Sequence, residues 1–371
     1  MKIAHINKFY PPTVGGIEYH VRMLTQELSK MSHIENIDIL VANEKRQRVV
    51  EIINAKTKII RLPSWLTAYS TPIAPAFITE ISKIQADMFH FHFPYPFGDF
   101  AWLLSGDKRP YCITYHSDIL RQKVLEKFYR PLMYRFFDKA SAIITTSPHL
   151  IDSSPVLQKY HKKVYVVALG IDPQPFTSLS ASMKAMEIKS RFSDKPVVLF
   201  VGRLVYYKGV DVLVKAFKNI DAHLLLIGKG PLEMDLKQTA AELNITDKIH
   251  FVSNVSDEMM PAYFNASDIF VLPSVANTEA YGLVQLEAHA SGKPVISTNL
   301  PTGVPFVNQH GVTGLIVPPG EIGPLAGALA ELVHNEQLRI TLGRQAKARM
   351  LEQFTSATMA QKVLDIYHTI A

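Results

Sequence analysis

Short runs rich in Val, Ile and Leu recur down this chain with a helix-length stretch between successive pairs, and this alternation restricts the fold more than any other feature. A strand followed by a crossover helix and a parallel strand covers both faces of a sheet, so the chain reads as α/β. In the first half the strand candidates are 2–6, 36–42, 87–91, 110–115, 141–145 and 163–167. The helix opened by Gly15-Gly16-Ile17 carries Val21, Leu24 and Leu28 at helical spacing. After Leu169-Gly170-Ile171-Asp172-Pro173 the text loosens into Pro175, Ser178, Ser180 and Ser182, the composition of a linker. A second series then begins, with strands at 197–202, 223–228, 248–252, 269–273 and 294–297 and helices near 209–219, 231–243, 256–266 and 281–291. The two halves share a layout without a sequence repeat, which excludes a solenoid, and 371 residues exceed what one core usually organises. We expect two Rossmann-like, doubly wound parallel-sheet domains facing a cleft. The first spans 1–172 with a C-terminal helix at about 355–371, and the second spans 173–354. Ligands of such sheets bind beyond the carboxyl ends of the strands, so the chemistry should sit just after them.

Composition narrows the partners. Cys112 is the only cysteine, which excludes an internal disulfide framework and a thiolate-built metal cluster. No apolar run approaches the roughly 20 residues of a membrane span, and the amino terminus reads directly into a strand, so a cytoplasmic chain is expected. A net charge of +6 suits an anionic partner. The cations are dispersed rather than gathered with stacking aromatics in one groove, and no nucleic-acid partner is expected.

The strongest local signal is Glu279-Ala-Tyr281-Gly282-Leu283-Val284-Gln-Leu-Glu287, two carboxylates across a loop-to-helix junction after a strand. Gly282 lets backbone come close to a ligand, and the free amides of Gly282, Leu283 and Val284 suit a phosphate. Glu287, expected about two turns into the helix, suits a ribose diol, and Glu279 suits sugar hydroxyls. Val201-Gly202-Arg203-Leu204, followed by Lys208-Gly209, sets two cations at a strand end in front of a helix, a clamp for a diphosphate leaving group. Pro11-Pro12-Thr13-Val14-Gly15-Gly16 joins the first strand to the first helix without the full G-x-G-x-x-G spacing. Tyr115-His116-Ser117-Asp118 puts an imidazole at another strand end, where it suits a sugar hydroxyl. His90 and His92 share a strand face with no acidic or thiolate third ligand evident, so they read as packing or cleft-lining residues and no metal site is expected.

Together these residues resemble the retaining glycosyltransferase family 4 of GT-B enzymes, over nearly the whole chain and most specifically from Phe200 to Gly320. That resemblance implies that Arg203 and Lys208 bind a donor diphosphate and Glu287 its ribose, with Glu279 and His116 on the transferred sugar. It also implies that Gly15 and Gly16 bring backbone to the β-phosphate and that the backbone around Phe251–Val255 reads the base. Tyr281 stands where Phe is also common. The stretches 297–305 and 310–320 look like bacterial O-antigen and capsule enzymes, many of them mannosyltransferases, which implies GDP-mannose as donor and no cofactor. A UDP-sugar-dependent transferase of the same fold, and a nucleotide-sugar-binding protein without transfer activity, stay open as alternatives. Arg121 to Phe137 mixes cations with aromatics as an interfacial helix does, although a crossover helix with its aromatics on the sheet fits equally. Trp65, Tyr69 and the Pro72–Pro75 turn form a second apolar loop. With the basic charge they point to peripheral attachment at the inner face of the cell membrane, on anionic lipid, and to a polyprenyl-diphosphate-linked saccharide as acceptor.

Overall fold

The computed structural model describes residues 1–13, 15–68, 71–117, 123–192 and 194–371; Val14, Tyr69, Asp118 and Arg121, named above, lie outside them. The described residues divide into two compact units, Met1–Gly170 with Ser356–Ala371, and Ile171–Thr355.

The strands of the first unit are β1 (Lys2–Ile6), β2 (Asn36–Asn43), β3 (Val49–Asn54), β4 (Thr57–Pro63), β5 (Leu66–Ala68), β6 (Thr71–Ile73), β7 (Met88–Phe93), β8 (Tyr111–Tyr115), β9 (Ala142–Thr145) and β10 (Val164–Val166). Eight of them form one sheet in the order β10-β9-β8-β7-β1-β2-β4-β3, parallel except for β3 at the edge, and β5 and β6 form a separate hairpin. The order reverses between β1 and β7. Both faces are buried: in β1, Ala4 and Ile6 enter one core and Ile3 the other. The second core is closed by the helix Gly16–Lys30, through Val21, Leu24 and Leu28, and by the helix Ser356–Ile370, through Met359, Val363 and Leu364.

The second unit contains β11 (Val197–Val201), β12 (His223–Ile227), β13 (Ile249–Val252), β14 (Ile269–Leu272), β15 (Val295–Thr298) and β16 (Gly314–Val317). All pair in parallel in the order β13-β12-β11-β14-β15-β16, which is the dinucleotide-fold order 3-2-1-4-5-6. Along β11, Val198 and Phe200 enter one core while Val197, Leu199 and Val201 enter the other. The reversal lies between β11 and β14, so the loops after those two strands flank the place where such a sheet binds ligands.

The edge strand β3, its partner β4, the β5–β6 hairpin and β16 are strands beyond those expected from the sequence. Trp65 and the Pro72–Pro75 stretch belong to that hairpin and the turn after it, with Trp65 exposed and Pro72 buried. The interfacial-helix expectation meets a helix over Lys123–Lys139. From Tyr129 onward its aromatic side faces the core: Met133, Phe136 and Phe137 are buried, and Tyr111 Oη donates to the Phe136 carbonyl. The Tyr129 hydroxyl donates to the buried carboxyl of Asp99, which burial pushes up to about 8. The cations Arg130, Arg135 and Lys139 of this stretch are exposed, as are Pro131 and Asp138.

Candidate active site

After β11 the chain turns at Gly202, whose amide donates to Ile227 O at 2.9 Å, and the Leu204 amide donates to Lys229 O at 2.9 Å. These bonds seat the loop against the end of β12. A Cβ on Gly228 would come 1.9 Å from Gly202 O, and one on Gly230 would come 2.2 Å from Leu204 O, so only glycines fit there. The loop then makes a short 3₁₀ turn over Tyr206–Lys208 and passes Gly209 at φ +64° into the helix Val210–Ala216.

This turn and the loop after β14 hold each other. The Val275 amide donates to Tyr207 O at 2.8 Å, and Gly209 lies so close to Pro273 that a Cβ there would come 2.1 Å from its carbonyl oxygen. Lys208 Nζ is thereby brought to 2.5 Å from Glu279 Oε2, both side chains nearly buried. Ser274 Oγ donates to the same carboxylate oxygen at 2.9 Å, and Thr298 Oγ1 donates to Ser274 O at 2.6 Å. Arg203 Nη2 donates to Tyr207 Oη at 2.8 Å. The two cations expected to act as a pair therefore differ: Lys208 is already neutralised by a buried carboxylate, whereas the partner found for Arg203 is a phenol.

Gly282, at φ +72°, turns the chain into the helix Val284–Ala290. The helix starts three residues later than the sequence reading had it, so Glu287 sits one turn in, not two. The first amides of any helix lack intrahelical acceptors, which leaves those of Leu283 and Val284 facing the turn. Glu287 is half-buried, and desolvation of its carboxyl, with Asp257 adding repulsion, pushes it up to about 7. Asp257 follows β13, two residues beyond Val255, so the loop after β13 lies alongside this helix. Arg203, Lys208, Glu279, Glu287 and Val255 thus all follow the carboxyl ends of β11, β13 and β14. Ser274, Thr298, Gly228 and Gly230 are the members of this arrangement that the sequence reading did not single out. A hydroxyl straight after the buried strand β14, and a Gly-Lys-Gly straight after β12, were the available signals.

In the first unit, Gly15 precedes the helix Gly16–Lys30 in extended backbone, and a Cβ on it would come 2.1 Å from Glu18 Oε2, whereas Gly16 has open space. His116 follows β8 with its amide on Phe93 O at 3.1 Å. It is 7 % exposed, and burial holds its imidazole well below the usual histidine range, so it is neutral. His90 and His92 are buried, as a packing role requires. They do not lack companions, however: His5, His20 and His116 lie beside them, drawn from three other segments.

Comparison with known proteins adds an independent line. Residues 182–349 match the family model for glycosyl transferases group 1, and residues 14–175 match that for glycosyltransferase family 4. The D-rhamnosyltransferase WbpZ of Pseudomonas aeruginosa is 34% identical over 365 residues, covering 96% of this chain and 93% of that protein. The O-antigen chain mannosyltransferase C of Escherichia coli is 29% identical over 373 residues, covering 100% of this chain and 99% of the relative. Among solved structures, a sucrose-phosphate synthase from Thermosynechococcus elongatus superposes with a TM-score of 0.79 at 23% identity, over 99% of this chain and 98% of that one. HepE of Anabaena in complex with UDP gives 0.79 at 19% identity over the whole of both chains. Two sheets of dinucleotide-fold type, two consecutive family matches and relatives similar from end to end agree, and the chain belongs to the group 1/family 4 glycosyltransferases of the GT-B fold.

Proposed function

We propose that the enzyme transfers a manno-configured hexose, mannose from GDP-mannose, to a polyprenyl-diphosphate-linked saccharide in the building of an O-antigen-type surface polysaccharide. The observation that carries this reading is the Lys208–Glu279–Ser274 cluster with Arg203 beside it, at the strand reversal of the second unit. Support for the sugar comes from two relatives, one named as a mannosyltransferase and one as a D-rhamnosyltransferase, since D-rhamnose is 6-deoxymannose.

In this reading Arg203 and Lys208 meet the donor diphosphate, with the backbone at Tyr281, Gly282, Leu283 and Val284 supplying amides. Glu287 accepts from the ribose hydroxyls, and the backbone at Val255 flanks the base. Glu279, paired with Lys208, accepts from a hydroxyl of the transferred sugar. In the first unit His116 is assigned to a sugar hydroxyl, and Gly15 and Gly16 to close backbone approach to the phosphate. The acceptor hydroxyl attacks C1 on the face from which the diphosphate leaves. The C1–O bond to phosphate breaks first, through an oxocarbenium-like state, and a β-phosphate oxygen takes the acceptor proton, so configuration is retained. No Asp-x-Asp pair follows a strand in the sequence to hold a divalent ion, and fixed cations meet the leaving-group charge instead.

Titration calorimetry with GDP, UDP and ADP tests the donor; tighter binding of UDP would overturn GDP-mannose and favour the UDP-sugar transferase. Transfer from GDP-mannose in excess EDTA, with the product anomer read by NMR, tests the rest. Loss of activity restored by manganese, or an inverted product, would overturn the mechanism. We assign the enzyme to the cytoplasmic side of the membrane, held at the anionic lipid surface by cations such as Arg130, Arg135 and Lys139. No helix among the described residues is long and apolar enough to cross a membrane. Failure to sediment with phosphatidylglycerol vesicles at low salt would remove that attachment.

A further inference from the structure

The first unit holds five imidazoles in one buried cluster: His5 on β1, His20 on the helix Gly16–Lys30, His90 and His92 on β7, and His116 after β8. Their ring nitrogens can be accounted for one by one. His90 is complete, with Nδ1 at 2.6 Å from Tyr367 Oη and Nε2 at 2.6 Å from Thr114 Oγ1. His5 Nδ1 lies 3.1 Å from His92 Nε2, and His92 Nδ1 lies 3.3 Å from His116 Nε2, while His5 Nε2 has no partner among the described residues. His20 is different. It is 5 % exposed, and neither of its ring nitrogens has a hydrogen-bond partner among the described residues. A neutral imidazole always carries one N–H and one lone pair, so this arrangement buries at least one unsatisfied donor, at a cost that needs an explanation.

Its placement supplies one. The His20 ring lies 5.0 Å from that of His116 and 5.5 Å from that of His92, edge-on to both, and one nitrogen from each of the three falls within 4.8 Å of the others. Tetrahedral zinc, with Zn–N of about 2.0–2.1 Å, needs nitrogens about 3.4 Å apart. His92 and His116 already stand at that separation, and His20 would close by roughly an ångström. A second grouping, His5, His90 and His92, is no match for it, because both His90 nitrogens are already engaged.

We propose that His20, His92 and His116 form a binding site for one divalent transition cation of the zinc class, with the fourth coordination position open. The donor set is all imidazole nitrogen, which selects zinc, copper or nickel over magnesium or calcium. With the cation on His92 Nδ1, the Nε2 proton of that ring donates to His5 Nδ1, the kind of outer contact that fixes a ligand's tautomer. Coordination would take His116 away from the sugar hydroxyl assigned to it above. The cation is therefore inhibitory, and that consequence, unlike the binding itself, rests on the proposed function.

The experiment is competition of chelator-stripped full-length protein with a chromophoric zinc indicator, repeated with Co²⁺, whose visible absorption reports tetrahedral nitrogen ligation. We expect one Zn²⁺ per chain in the wild type, and at least a tenfold weaker affinity in His20→Ala and in His92→Gln, both checked for folding by near-ultraviolet circular dichroism. Absence of stoichiometric binding, or affinity unchanged in His20→Ala, overturns the site; the second result would place the metal on surface histidines. Because His20→Ala alters no residue assigned to catalysis, it also serves if His92→Gln fails to fold. Transfer assays separate the two proposals: zinc bound without loss of activity refutes the role given to His116 and leaves the site standing.

Discussion

Arg203 and Lys208 stand five positions apart after the same strand, yet their surroundings assign them different work. Lys208 is tied to Glu279, so Lys208→Ala strands a nearly buried carboxylate on the Ser274 hydroxyl alone, and lost activity there mixes leaving-group stabilisation with a disturbed loop. Among the described residues the Arg203 side chain contacts just the Tyr207 hydroxyl and ring, with no carboxylate left stranded, which makes Arg203→Ala the cleaner probe. We expect it to lower kcat by roughly 10²–10³ with little change in melting temperature, as loss of a donor to the departing group does. Steady-state kinetics with unchanged kcat would refute the clamp. Glu287 carries a prediction of a different kind. An unfolded glutamate loses its proton near 4.5 and the folded one near 7, so between these values the folded state holds the extra proton. Stability due to this residue therefore falls as pH rises from about 4.5 to about 7 and is level above that. Glu287→Gln abolishes the fall, so its melting temperature relative to wild type should climb between pH 5 and pH 8; a constant difference would mean that the carboxyl is not shifted.

At the level of elements, the site depends on how closely two loops approach. Gly209 adopts the left-handed region, where an L-residue costs about 1–2 kcal/mol, and an added methyl would overlap Pro273 O. Gly209→Ala should thus lose at least about 2 kcal/mol in urea unfolding. It should also weaken nucleotide binding in calorimetry by parting Lys208 from Glu279. Retained affinity would show that the contact between the loops does not shape the site. The same elements explain what could be read from the text. Strands β1, β2, β7 to β9 and β11 to β15 are covered on both faces and so appear as continuous apolar runs. β3 alternates half-exposed and exposed residues at a sheet edge, and Ile52 points to solvent, so its pattern matches a polar hairpin as well as a strand. β16 has four residues, too few for periodicity to show. The placement of Arg203 and Lys208 at a strand end was legible because they are close in sequence and directly follow the buried strand β11. The histidine cluster was not, since strand alternation pairs His90 with His92 but says nothing of His5 and His116, which the sheet order brings alongside, or of His20, which the helix Gly16–Lys30 carries onto that face.

For the whole molecule, the chain leaves the first unit at Gly170, builds all of the second, and returns at Ser356 to complete the first. The first unit therefore cannot close its core until the last residues are present. Met359, Val363, Leu364, Ile366 and Tyr367 are all buried against the helix Gly16–Lys30 and the sheet beneath it. At about 1.5–3 kcal/mol for each large side chain, reduced somewhat for a compact unfolded state, their burial contributes on the order of 10 kcal/mol. That is comparable to the entire stability of an ordinary domain. Removal of Tyr367 also takes away the hydroxyl that satisfies His90 Nδ1 in the centre of the histidine cluster. A chain ending at Thr355 should then lose the calorimetric transition of the first unit and become open to proteolysis within residues 1–170. Ile171–Thr355, whose buried clusters use no residue beyond Thr355, should still melt cooperatively. If the truncated chain kept both transitions at their original temperatures, the returning helix would be an ornament on a finished domain. Tyr367→Phe then separates the two contributions, because it keeps the packing and deletes only the bond to His90.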